Sequence, residues 1–173
     1  MDAVRRSLLE ARVRSQWDII EQVYATVEKR AAALRPDEPA LLEGLAYQLH
    51  NLYNAVEDLL KVVADVFENS LRDLPRWHTE LLERMRLEIE GIRPALLSPE
   101  LYSLLDELRS FRHFFRHAYG RRLREERVLE VLRRAREAHP LLKRDLEHFL
   151  NRLGASLEAR NVSWERPATG GPE

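Results

Sequence analysis

The sequence predicts an all-α fold, and three observations support this prediction. Apolar residues recur at three-and-four spacing along most of the chain, and no run alternates between apolar and polar residues over a useful length. The six glycines and eight prolines cluster at a few places. Because 173 residues suit one domain, we predict a single bundle of about five helices.

The first half of the chain contains two predicted helices. The first runs from Asp2 to about Leu34, where "RPDEP" ends it, and its apolar stripe consists of Ile19, Ile20, Val23 and Val27. The second begins near Ala40. Its apolar face is made by residues that recur every three or four positions: Leu41, Leu45, Leu49, Leu52, Tyr53, Val56, Leu60, Val63 and Phe67.

The middle of the chain predicts a short third helix and a well-marked fourth. The third follows Pro75 in "DLPRWHTELLERM", and "GIRPALL" then forms a connection. In "SPEL", Ser98 has the residue type of an N-cap and Pro99 takes the first helical position. Gly120 is the predicted left-handed C-terminal cap of this fourth helix.

A fifth helix is predicted from Glu125 to Leu153, with a kink at Pro140. Its apolar positions are Leu129, Leu132, Leu142, Leu146, Phe149 and Leu153. After residue 154 the periodicity is lost. We therefore predict a helical bundle over residues 1–154 and a flexible C-terminal tail over residues 155–173.

Composition restricts the function classes. No apolar run approaches the ~18 residues that a membrane span needs, and "MDAVRRSLLE" has charges where a signal peptide has an apolar segment. The chain has no cysteine, which excludes disulfides, thiolate metal sites and a cysteine nucleophile. These features predict a cytoplasmic protein that does not bind membranes.

Charge is distributed unevenly, although the net charge is only −1. Between Arg109 and Arg136 lie ten arginines and three glutamates, so this segment alone carries +7. Such a segment is typical of a local site for a polyanion. The alternative is an ordinary solvated helix face.

The stretch "RSFRHFFRHAYG" lies on the fourth helix. At 100° per residue Arg112 falls inside the apolar stripe, which is formed by Leu101, Leu104, Leu105, Leu108, Phe111 and Phe115. An arginine there is costly unless it is paired or faces an interface. Two hypotheses follow: a buried ion pair with Glu57 of the second helix, or a symmetric dimer in which two copies of this helix form one groove.

Two histidines follow this arginine. His113 and His117 are four residues apart, which suits a metal-binding pair, but the stretch offers no third ligand and we predict no metal. Histidines that bind no metal are the commoner case.

The residues Arg112-His113-Phe114-Phe115-Arg116-His117 resemble the signature of HEPN-domain ribonucleases, which is arginine, a polar residue, three residues and histidine. Tyr119 extends the match to the Arg-X4-His-X-Tyr pattern of HepT-type toxins. The segments "LRSFRHFFRHAYG", "YQLHNLYNAVEDLLKVVA" and "LPRWHTELLERM" are similar to the same group, over roughly Leu42 to Leu153.

The resemblance implies a homodimer whose motif helices face each other, and metal-independent cleavage of RNA (tRNA or mRNA) without a cofactor. It implies that His117 is the general base and that Arg112 stabilises the phosphate charge. His113 then orients the site, and the RNA backbone is bound by Arg116, Arg121 and Arg122.

The resemblance also implies a partner. In HepT-type pairs a nucleotidyltransferase antitoxin (MNT) attaches AMP to the motif tyrosine, here Tyr119, and thereby blocks the site. The alternative for Tyr119 is an aromatic residue packed at a helix end. The alternative function is a non-catalytic HEPN bundle that binds nucleotide or partners a nucleotidyltransferase. Catalysis, by contrast, requires Arg112 and His117 to be open to solvent in a basic groove between two chains.

Overall fold

The structure is a computed structural model that describes residues 3–67, 77–116 and 123–164. These residues form five helices and no strand. The helices are α1 (Ala3–Ala32), α2 (Pro39–Phe67), α3 (Trp77–Met85), α4 (Pro99–Arg116) and α5 (Glu125–Trp164). The predicted all-α bundle is confirmed.

Helix α2 is the centre of the bundle, because it packs against α1, α3, α4 and α5. Twelve of its residues are buried, so its buried surface is much wider than the single apolar stripe of a surface helix. Tyr53 is among the largest side chains that the core encloses completely. Glu57, the buried charged residue of α2, is therefore held in a well-packed environment.

Helix α1 packs along α2 through a narrow seam of Leu9, Val13, Ile20 and Val27, all nearly inaccessible to solvent. The predicted stripe is wrong at Ile19, which is 44% exposed. The buried positions 13, 20 and 27 repeat every seven residues, and residue 19 lies 100° away from that seam.

The α3–α4 connection is fixed by backbone and side-chain hydrogen bonds. Leu96 N and Leu97 N both donate to Met85 O, at 2.9 and 3.1 Å. The buried Arg93 guanidinium donates to Leu87 O at 2.9 Å and to Arg84 O at 2.8 Å, so it satisfies carbonyls at the end of α3. These hydrogen bonds fix the connection and therefore the direction in which α4 extends from it.

Helix α4 begins where the sequence predicts. Ser98 Oγ accepts a hydrogen bond from Leu101 N at 3.3 Å, as an N-cap does. The Ser98 backbone N–H donates to Asp145 Oδ2 of α5 at 2.8 Å, and Arg144 Nη2 donates to Ser98 Oγ at 3.2 Å. The start of the motif helix is thus tied to α5.

Helix α5 differs from its prediction at two points. It continues past Leu153 to Trp164, so the helix enters the segment predicted as a tail. Leu129 is 39% exposed, whereas its neighbours Val128 and Val131 are buried and make the contact assigned to it. Pro140 lies inside this helix as expected.

None of the described helices has the length and apolar character needed to cross a membrane.

Candidate functional site

The described part of the motif lies on the last turn and a half of α4. Arg112, His113 and Arg116 are on this helix, and His113 and Arg116 are exposed. Four predicted site residues lie outside the described residues: His117, Tyr119, Arg121 and Arg122. The predicted cap at Gly120 lies outside them as well.

Arg112 points from α4 onto α2. Its Nε donates to Asn54 Oδ1 at 2.5 Å, and its Nη2 lies 3.7 Å from Glu57 Oε2. The guanidinium carbon stands 6.0 Å from the centre of the Tyr53 ring, at the outer limit of a cation–π contact. Only 12% of the side chain is exposed. The ion pair with Glu57 that the sequence suggested therefore forms within one chain.

Glu57 is a buried carboxylate between two cations. Its side chain is 3% exposed, and Lys61 Nζ lies 3.5 Å from Oε2. Lys61 is also 2.7 Å from the exposed Asp58, so its charge is shared. The 3.7 Å separation from Arg112 is longer than a hydrogen bond, and the attraction between the two groups is mainly coulombic.

Asn54 connects Arg112 to a histidine of α2. While its Oδ1 accepts from Arg112, its Nδ2 lies 3.0 Å from His50 Nε2. The His50 ring contacts Phe115, with 5.5 Å between ring centres, and Tyr47, with 6.5 Å. Among the described residues His50 Nδ1 is buried and has no hydrogen-bond partner. We call His50, Asn54, Glu57 and Arg112 the polar cluster.

Two pKa values are shifted at the cluster, that of its member His50 and that of the neighbouring Tyr53. Burial lowers the pKa of His50, and the positive charges of Arg112 and Arg116 lower it further, while Glu57 opposes them. Burial and the nearby Glu57 carboxylate raise the pKa of Tyr53. At neutral pH we therefore expect a neutral His50 and a neutral Tyr53.

A comparison with protein-family models gives one match, to the family described as "HepT-like protein", over residues 44–153. This chain belongs to the HepT-like family. No significant match was found among curated proteins or among solved structures. The predicted resemblance is thereby confirmed at the level of the family and of its all-α HEPN-type bundle.

The HepT-like region begins inside α2 and contains α3, α4 and most of α5. It includes the whole Arg112–Tyr119 motif and the polar cluster. Helix α1 lies outside it, although α1 packs along the central helix α2.

In the described part of the basic segment 109–136, most of the positive charge of this HepT-like chain is compensated. In the segment 109–136, seven of the eight arginines that the structure describes lie within 4.0 Å of a carboxylate. Arg136, for example, makes a bidentate contact with Glu28 of α1. Arg116 is the exception within the described residues. For these eight arginines the arrangement fits the solvated-face interpretation better than a continuous basic surface, and the one without a carboxylate partner lies at the end of α4.

Sequence reasoning missed His50 and Asn54. A signal for them existed: positions 50, 54 and 57 follow helical spacing on α2, beside the buried Leu49, Tyr53 and Val56. A polar row at the margin of an apolar face indicates a hydrogen-bonded cluster. Only the fold shows that this row meets Arg112.

Proposed function

We propose that this HepT-like protein is the toxin of a toxin–antitoxin pair and a metal-independent endoribonuclease of the cytoplasm. One observation carries the proposal: the region that matches the family contains the complete Arg-X4-His-X-Tyr motif. Arg112 lies on α4 together with two exposed residues that can contact a polyanion, His113 and Arg116.

The reaction follows from the motif side chains. His117 takes the proton of a ribose 2′-OH, and the 2′-oxygen attacks the adjacent phosphorus. The bond from phosphorus to the 5′-oxygen of the next nucleotide breaks, leaving a 2′,3′-cyclic phosphate. The 5′-oxygen takes a proton from water to become a hydroxyl, and His117 returns its proton to the solvent. Arg112 stabilises the charge that develops on the phosphate oxygens, and His113 orients the site. Arg116, Arg121 and Arg122 bind the RNA backbone.

The geometry of Arg112 limits how it contacts phosphate. Nε and Nη2 are directed at Asn54 and Glu57, and among the described residues Nη1 has no acceptor. A bidentate contact with phosphate, which arginine otherwise makes well, requires Arg112 to release one of its two α2 partners. In the arrangement described here Nη1 is the atom that would donate.

The regulatory part of the proposal concerns Tyr119. An MNT-type nucleotidyltransferase antitoxin would attach AMP to its hydroxyl, and the added negative charge would repel RNA from the site. The active species would be a homodimer whose two α4 helices face each other, so that Arg112 and His117 of both chains line one groove.

One observation favours a second candidate, a non-catalytic HEPN bundle that binds nucleotide or partners a nucleotidyltransferase. Arg112 is paired with Glu57 inside one chain and only 12% exposed, whereas a phosphate-binding arginine is expected to be open to solvent. In this second case the Arg112–Glu57 pair stabilises the bundle and His117 is dispensable.

The deciding experiment is cleavage of total tRNA and a test mRNA by purified protein in excess EDTA, with mass spectrometry confirming that Tyr119 is unmodified. His117→Ala and Arg112→Ala are compared with His148→Ala, which changes an exposed histidine of α5. We expect cyclic phosphate ends that disappear in the first two variants alone. Absence of cleavage by folded, unmodified protein supports the second candidate.

A further inference from the structure

We propose that Asn54 and His50 are positioning residues of the motif site, and that His50 must be neutral for Arg112 to keep its place. This inference rests on the proposed function, because it assigns the two residues to the arginine that would bind phosphate. Neither residue belongs to the motif, and both lie on α2 rather than on the motif helix.

The first step is the orientation of the Asn54 carboxamide. Arg112 Nε is a donor with no lone pair to offer, so the Asn54 atom 2.5 Å from it must be the oxygen. The Asn54 amide nitrogen then faces His50 Nε2 at 3.0 Å and donates to it. Two hydrogen bonds thus depend on one choice of amide orientation.

The second step is the tautomer of His50. A ring nitrogen that accepts a hydrogen bond carries no proton, so the proton of neutral His50 resides on Nδ1. Protonated His50 would carry hydrogen on both ring nitrogens. Its Nε2–H would then point at the N–H of the Asn54 amide, so that two donors face each other. Asn54 could relieve that clash only by turning its oxygen to His50, which removes the acceptor from Arg112 Nε.

The third step is the charge around His50. Arg112 and Arg116 face it from α4, and Glu57 faces it from its own helix, while the rings of Tyr47 and Phe115 cover it. Two arginines against one carboxylate, together with burial, disfavour the imidazolium and lower the pKa of His50. The neutral form that Arg112 requires is thus the form that the surroundings favour.

A consequence for RNA cleavage follows. His117 as general base must be unprotonated, and His50 must be unprotonated for Arg112 to stay in place. Below the pKa of both groups activity therefore requires the loss of two protons, so log kcat/KM rises with a slope of two rather than one as pH increases.

The first test needs no activity. In the wild-type protein, imidazole ¹⁵N chemical shifts should show His50 with hydrogen on Nδ1 and a bare Nε2, and a pKa of His50 below the ordinary histidine value. Asn54→Asp removes the amide donor and supplies a carboxylate, so it should raise the pKa of His50 above its wild-type value. A wild-type His50 with hydrogen on Nε2, or one whose pKa is not lowered from the ordinary histidine value, would overturn the proposal.

The second test uses RNA cleavage across pH. His50→Gln offers an amide oxygen that accepts from Asn54 at any pH, so at pH 8 kcat/KM should stay within about threefold of wild type, and the acid slope should fall from two to one. Asn54→Ala should lower kcat/KM by on the order of 100-fold, because Arg112 loses its anchor. Asn51→Ala on the same helix and His148→Gln on α5 are matched controls.

The outcomes separate the two proposals. If wild-type protein cleaves no RNA, the proposed function fails, while the ¹⁵N measurement still decides whether Asn54 and His50 hold Arg112. If wild type cleaves, His117→Ala does not, and His50→Gln keeps a slope of two, then the function stands and the positioning role of His50 is rejected.

Discussion

At the scale of single residues, Glu57 is the most completely buried carboxylate in the described part of the chain. It is held between Arg112 and Lys61, so its removal leaves a nearly buried guanidinium without its counter-charge. We expect Glu57→Ala to lower the free energy of unfolding by about 3 kcal/mol, measured by urea denaturation.

The neighbouring Asp58 provides the control for Glu57. It also contacts Lys61, at 2.7 Å, but its side chain is 56% exposed. Asp58→Ala should therefore change stability by less than about 1 kcal/mol. Equal losses in the two variants would show that the burial of Glu57 does not matter.

Tyr53 leads to a prediction about alkaline pH. Its hydroxyl is buried and has no hydrogen-bond partner among the described residues, and burial followed by Glu57 raises its pKa. A raised folded-state pKa contributes stability below the unfolded value of about 10, and this contribution is lost as pH rises beyond it.

We therefore expect Tyr53→Phe to unfold at a higher pH than wild type in an alkaline titration followed by circular dichroism. At pH 7 its stability should stay within about 0.5 kcal/mol of wild type, because no hydrogen bond within the described structure is removed. A large loss at pH 7 would contradict this account.

At the scale of the elements, the attachment of α4 to α5 depends on Asp145. This carboxylate is 8% exposed and accepts from the Ser98 backbone N–H, while Arg144 contacts both residues. Asp145→Ala leaves a backbone donor unpaired at the start of the motif helix, so we expect a loss of about 2 kcal/mol in urea denaturation. The exposed Glu147 two residues later is the control, and Glu147→Ala should be nearly neutral.

The elements themselves were largely predictable from local chemistry. "SPEL" predicted the start of α4 because a serine cap followed by proline satisfies the first turn whatever the tertiary context. The end of α5 was not predictable. Where the apolar stripe ends, the helix no longer has a face to pack against the core, but its backbone can remain helical, and here it continues to Trp164. The division at residue 154 between bundle and tail stays a prediction.

The site was predictable only in part, because the sequence does not show how the helices pack against each other. Arg112 within an apolar stripe indicated a buried partner, and Glu57 proved to be that partner. His50 and Asn54 follow from no rule of spacing between α2 and α4, since their contact with Arg112 depends on how two helices cross.

At the scale of the whole molecule, α1 is joined to the bundle by more than its apolar seam. Gln16 Nε2 donates to Ala55 O of α2 at 2.9 Å, and His139 of α5 stacks on Tyr24 at 3.9 Å between ring centres. Burial of the four seam residues is worth roughly 1.5–3 kcal/mol each, which together approaches the stability of a typical domain. We expect deletion of residues 1–34 to abolish the cooperative thermal transition seen by circular dichroism.

A matched pair of substitutions on α1 refines that prediction. Leu9 is 1% exposed and Leu8 is 60% exposed. Leu9→Ala should lower the unfolding free energy by about 2–5 kcal/mol, and Leu8→Ala by less than about 0.5. A truncated chain that still unfolds cooperatively would show that the HepT-like region folds without α1.

The central position of α2 also constrains how this sequence can diverge. Within a single turn, Ala55 accepts a hydrogen bond from α1, while Asn54 and Glu57 hold the arginine of α4. A substitution that shifts this turn to suit a new α1 would also displace the guanidinium. Substitutions in α1 are therefore tolerated mainly when the compensating substitutions in α2 lie on the side that faces α1. We expect relatives that keep the same arginine geometry to show covariation between these two helices.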